Sequence, residues 1–132
     1  MLTANLLQIR DESVSGLVFF EMQLQFEAET VTIKEIIEQR VKDEVAKYNQ
    51  NTSQDTKGLV TPGIKERFLN KSIIKKHKVD VDKQIPIALN AFENNGFFML
   101  VDDYQVDSLD DVVTITKKTV VSFIKLTQLV GG

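Results

Sequence analysis

Gly131 and Gly132 are the residues of this chain whose type and placement most directly suggest chemistry. They follow a run of strand-forming residues where a fold has no need of them, and a backbone without Cβ can pass close to protein walls and turn freely. The alternatives are few. The chain has no cysteine, which removes disulfides, thiolate metal sites and thiol nucleophiles together. Any thioester chemistry nearby would take its sulfur from a partner. The single histidine, His77, excludes zinc sites built on two or more imidazoles and stands in the basic run Lys75-Lys76-His77-Lys78, where it reads as an exposed polar residue. Asp102-Asp103 and Asp110-Asp111 are acidic pairs at turn positions, better suited to capping than to a metal, for want of a third ligand. No phosphate-binding glycine loop or nucleophile elbow is present, so the chain is expected not to be an enzyme.

Composition agrees with a single ordinary domain spanning 1–132. Apolar residues make up 42% and charged residues 27%, with two prolines and six glycines, which excludes disordered and fibrous classes. No run reaches the ~18 apolar residues of a membrane span, and the first residues lack a signal peptide's basic and apolar regions, so a cytoplasmic location and no membrane partner are expected. The net charge is −3, yet residues 64–83 carry seven cations against three acids. Without interleaved aromatics or a nucleic-acid motif, this run reads as a solvated face rather than a nucleic-acid contact.

The elements that must position the tail are legible from periodicity. Val18, Phe20, Met22, Leu24 and Phe26 alternate with Phe19, Glu21, Gln23, Gln25 and Glu27, the pattern of a strand with one buried face. The segment Ala4 to Arg10 precedes it across a polar, Gly-containing connector, so the two form a hairpin. Thr32 and Glu35 make a capping box that opens a helix ending near Tyr48-Asn49. Its buried face is expected at Ile33, Ile36, Ile37, Val41 and Val45, with Lys34, Glu38, Lys42 and Glu44 directed elsewhere. Residues 50–63 read as a polar loop closed by Pro62-Gly63, and 64–74 as a short helix. Asp82 through Asn94 reads as a helix carrying Ile85, Ala88, Leu89 and Phe92 on one stripe, with Pro86 placed in the first turn and Gly96 as the stop. Phe97 to Val101 and Tyr104 to Val106 follow as strands, Ser108 to Asp111 as one helical turn, and Thr119 to Leu129 as a central strand with two apolar faces.

Strand, strand, helix, strand, short turn and strand ending in Gly-Gly is an order that resembles the β-grasp fold of ubiquitin. The resemblance is strongest from Phe97-Phe98-Met99-Leu100-Val101 through Tyr104-Gln105-Val106 and Ser108-Leu109-Asp110-Asp111 to Val120–Leu129 and Gly131-Gly132. It covers about 1–49 and 96–132. Residues 50–95 then form an insertion between the helix and the third strand, expected to pack on the rim or over one face. The fold class implied is α+β, a β-grasp mixed sheet with one main helix.

By this resemblance the chain is a protein modifier of a bacterial ubiquitin-like pathway, a setting associated with antiphage defence. Gly132 would supply the carboxylate and Gly131 the clearance. An E1-like activating enzyme would spend ATP and Mg on adenylation, an E2-like conjugating enzyme would pass the chain to a target amine through an isopeptide bond, and a deconjugating peptidase would remove it. No cofactor would be bound by the chain itself. Ubiquitin has arginines ahead of its glycines, whereas here Leu129 and Val130 occupy the tail that the activating enzyme would read. Ile124 and Leu126 are the candidate partner surface. The chain ends at Gly132 without a cleavable extension, as some bacterial family members do or as a processed form would. Counting back from the glycines puts Lys125 on a buried face, costly for an ammonium, and a register slip or bulge is expected there. Two other classes share these features: a sulfur carrier whose C-terminal glycine becomes a thiocarboxylate, and a β-grasp interaction module that is not conjugated.

Overall fold

The structure, a computed structural model, describes residues 5–50 and 78–125. These residues form an α+β arrangement: a mixed five-stranded sheet with two helices on one face, and a separate two-stranded ribbon. The expected short helix at 64–74, most of the polar loop and the basic run at 75–77 lie outside the described residues.

β1 (Asn5–Glu12) and β2 (Val18–Phe26) pair antiparallel around the Ser13–Leu17 connector, closed by hydrogen bonds from Ser13 N to Leu17 O and from Gly16 N to Ser13 O. Gly16 sits at φ 91°, a conformation that glycine adopts without strain. The alternation assigned from sequence holds from Phe20 onward: Leu24 is buried and Phe20, Met22 and Phe26 are half-buried, while Glu21, Gln23 and Gln25 are exposed. Val18, expected on the buried face, is exposed at the strand's start, where the register against β1 shifts. β3 (Thr30–Thr32) leads into α1 (Ile33–Gln50), whose start is the expected capping box. Glu35 Oε1 accepts from Thr32 N at 2.8 Å, and Thr32 Oγ1 accepts from Glu35 N at 3.1 Å. Ile33, Ile36, Ile37, Val41 and Val45 are all buried.

α2 (Val81–Glu93) is capped by Asp80, whose side chain accepts from Asp82 N. It begins one residue before the sequence suggested, and Pro86, its sixth residue, lies in the second turn rather than in the expected first, where it deprives the exposed Asp82 carbonyl of its helical donor. Its stop is a Schellman arrangement in which Gly96 N donates to Ala91 O and Asn95 N to Phe92 O. The left-handed residue is Asn95 at φ 61°, while Gly96 serves close approach: a Cβ there would lie 3.2 Å from Ala91 O. Ala88 and Phe92 join the core, so this part of the expected insertion is built into the hydrophobic interior. Two hydrogen bonds clasp the ends of the intervening chain, Val79 N to Asn49 Oδ1 at 2.8 Å and Asn49 Nδ2 to Val79 O at 3.2 Å.

β4 (Phe97–Val101) and β5 (Tyr104–Val106) form a hairpin whose two-residue turn puts Asp102 and Asp103 at φ 50° and 74°. β6 (Val112–Thr114) pairs antiparallel with β3, a ribbon the sequence reading did not anticipate. The preceding Ser108–Asp111 segment is a hydrogen-bonded turn rather than a helical one, with Asp111 N donating to Ser108 O. The carbonyls of Leu109 and Asp111 accept from Lys34 and Ile33 N, so this turn serves as an external cap for α1. β7 (Val120–Lys125) is central, as its two apolar faces suggested: the sheet order is β2-β1-β7-β4-β5, with β7 parallel to β1 and antiparallel to β4.

Candidate functional site

β7 delivers the chain toward the segment on which the sequence places its chemistry. Gly131, Gly132, Leu129, Val130 and Leu126 lie outside the described residues. Ile124 is described. It occupies the sheet face turned away from the helices, half-buried, opposite Phe98 of β4 and Glu12 of β1. Phe98 and Leu100 are also half-buried on that face, so an apolar row crosses β4 and β7, flanked by the polar Gln8, Arg10 and Gln23 of the hairpin. Ser122, between Val120 and Ile124 on the same face, donates to Glu12 Oε2 at 2.6 Å and ties β7 to β1.

On the helix-facing side, sequence reading missed an ionic centre. Leu7 and Ile9 are buried, and the period of two carries Asp11 inward after them at 0% exposure. Arg40, also at 0%, belongs to the Ile33–Ile36–Ile37–Val41 stripe of α1. Its guanidinium meets Asp11 through two parallel bonds, Nη1 to Oδ1 at 2.5 Å and Nη2 to Oδ2 at 2.7 Å, and its Nε donates to Glu44 Oε2 at 2.7 Å. Glu44 is therefore buried on the inner side of α1, not directed elsewhere: one turn beyond Arg40, it follows the same stripe. The Phe123 ring lies 4.6 Å from the guanidinium carbon and the Phe20 ring 5.9 Å, closing the cation between aromatic faces. Burial by itself would lower the Arg40 pKa, but hydrogen bonding to Asp11 and the charges of Glu44 and Asp11 outweigh it and raise the value.

Lys125 stands beside this centre. Its register is regular, opposite Phe97, and it follows Val121 and Phe123 on the helix-facing parity, so neither a slip nor a bulge removes it from that side. The irregularity in the sheet falls instead between Asp11 and Glu12. Burial lowers the Lys125 pKa, and the Arg40 charge adds to that, while Asp11 and Glu44 oppose it. The nearby carboxylates are what make a lysine tolerable at the end of a core face. Each of the three guanidinium nitrogens bonds to a carboxylate, two of them to Asp11 of β1, so the centre fastens the middle of α1 to β1.

One acid of each pair has local work. Asp102 Oδ1 accepts from Val120 N at 2.9 Å, and Asp111 Oδ2 accepts from Asp107 N and Ser108 N, both at 3.3 Å. Among the described residues, no group of three or more metal-ligating side chains is gathered, and no helix is long and apolar enough to cross a membrane. No protein-family model matches the chain, and no curated protein or solved structure is significantly similar to it.

Proposed function

We propose that the chain is a ubiquitin-like protein modifier with a β-grasp fold, acting in the cytoplasm and conjugated through Gly132. The observation that carries this reading is the topology leading to the glycines. A hairpin, a helix crossing one face and a last strand inserted centrally beside the first form a rigid base, and the sequence continues from that central strand to Gly131-Gly132. In this reading an activating enzyme joins the Gly132 carboxylate to AMP from ATP with loss of pyrophosphate. An enzyme side chain then displaces AMP, and a target amine displaces the enzyme to leave an amide. In this reading the modifier supplies no catalytic side chain of its own. The half-buried row of Phe98, Leu100 and Ile124 is the surface proposed for partner enzymes.

Mass spectrometry of the tagged chain from its native cells tests the reading. The last basic residue before the glycines is Lys125, so trypsin is expected to leave the branch Leu-Thr-Gln-Leu-Val-Gly-Gly on a target lysine. Removal of Gly131 and Gly132 should abolish it while leaving the fold intact. A C-terminal thiocarboxylate without branched peptides would make the chain a sulfur carrier. Neither product, with the activating enzyme present, would leave an interaction module.

A further inference from the structure

The two edges of the five-stranded sheet are unequal. β5 is three residues long and bounded by the Asp102-Asp103 turn and Asp107, a short and acidic edge of the kind that discourages further pairing. β2 is nine residues long and contains no lysine, proline or glycine. Among the described residues it has one partner strand, β1, and nothing pairs with its other edge. Phe20, Met22 and Phe26 stay half-buried at this edge although they face the core layer, and Phe19 is 52% exposed on the opposite face.

The sequence of β2 is nearly self-complementary when read against its own reverse. We propose that the free edge of β2 pairs with the same edge of a second copy of this chain, antiparallel and centred on Met22, joining two five-stranded sheets into one. In that register Phe20 faces Leu24 and Val18 faces Phe26, so the apolar side of each strand continues that of the other. On the opposite side, Phe19 faces Gln25 and each Glu21 faces a Gln23. Neighbouring registers are worse. Centring on Glu21 sets two carboxylates against each other, centring on Gln23 drops Val18 and Phe19 from the pairing, and a one-residue offset sets the apolar face of one strand beside the polar face of the next. Pairing along one strand covers less than the ~1,600 Å² of a standard stable interface, so the dimer forms and dissociates with concentration. It also covers the outer flank of Phe20, the ring that closes over Arg40.

Sedimentation velocity of the full chain over a wide concentration range tests this, with wild type passing from monomer to dimer. Gln23 is exposed, so its charge can be changed without disturbing the core, and circular dichroism melts check that the variants fold alike. Gln23→Glu sets like charges opposite each other at two symmetric contacts and should weaken the dimer by roughly twofold to thirtyfold. Gln23→Lys faces Glu21 of the other copy and should tighten it over a similar range. Because the chain has no cysteine of its own, Glu21→Cys mixed with Gln23→Cys should cross-link faster than either variant alone. A monomer at every concentration overturns the proposal. So does a dimer indifferent to the charge at position 23, or one weakened by both signs, which would mark an axis at Gln23.

Discussion

Replacing Asp11 by alanine strips the buried Arg40 of its two-pronged partner and leaves the guanidinium with Glu44 in a site closed by Phe123 and Phe20. Breaking a buried pair from one side costs about 3–5 kcal/mol, because the remaining charge keeps its desolvation penalty without its return. Against a total stability of roughly 5–15 kcal/mol, this is a large fraction. At about 3–4 °C per kcal/mol for a chain of this length, the midpoint should fall by roughly 10–20 °C. Arg40→Met should cost a comparable amount, since it leaves two carboxylates buried side by side. The informative variant is the combination Asp11→Leu with Arg40→Met, which removes both charges and fills the space with apolar atoms. It should recover more than half of the single-variant loss. The chain has no tryptophan, so urea unfolding is best followed by far-ultraviolet circular dichroism at the helical bands of α1 and α2. Losses that simply add in the double variant would refute the argument, as would an Asp11→Ala cost below about 1 kcal/mol, which would mean that water reaches the pair.

Three further outcomes follow from the packing. With its folded pKa below the ordinary lysine value, Lys125 binds fewer protons folded than unfolded just under that value, so stability should rise with pH there, and Lys125→Met should abolish the rise when melting points at neutral pH and near pH ~10 are compared. Thr32→Ala removes the oxygen that accepts from Glu35 N and should cost about 1 kcal/mol in urea unfolding, with no change in the slope that reports exposed surface. Leu24→Ala, at a position 2% exposed, should cost ~2–5 kcal/mol, whereas Gln25→Ala on the opposite face should stay within about 0.5 kcal/mol by the same assay.

What could be read in advance follows from how local each determinant is. The period of two in β2, the Thr32–Glu35 box and the apolar stripe of α1 are each written within a few neighbouring residues, and the structure follows them. The Arg40 centre was written in the same periods: Asp11 continues the inward parity of Leu7 and Ile9, and Arg40 and Glu44 fall on the stripe. Charged residues on an apolar face are usually assigned to solvent, and only the meeting of β1 with α1, 29 residues apart for Asp11 and Arg40, shows why these are inside. The β3–β6 ribbon was hidden for another reason. Its strands have three residues each, too short for a period to register, and their pairing joins segments far apart in sequence. Lys125 stands out in the sequence as a conflict, and its accommodation depends on the same distant carboxylates. As for the candidate site, the placement of Ile124 on a partly apolar outer face became visible only with the register of β7 against β4.

The parallel pairing of β1 with β7 has a consequence for when this chain can fold. Gln8 through Glu12 take their partners from Val120 through Ile124, and the Glu12–Ser122 bond spans 110 residues. During synthesis the β1–β2 hairpin emerges from the ribosome well before β7, and one edge of β1 must wait until Val120 through Ile124 are translated. Until then Ile9 has no Val121 beside it, and Asp11 no Phe123. The sheet therefore closes as a late, long-range event, the kind of step that slows folding and exposes strand edges while it is pending. A ribosome that stalls before residue 120 holds a nascent chain whose first strand is an open template, and chaperone contact is expected to concentrate there.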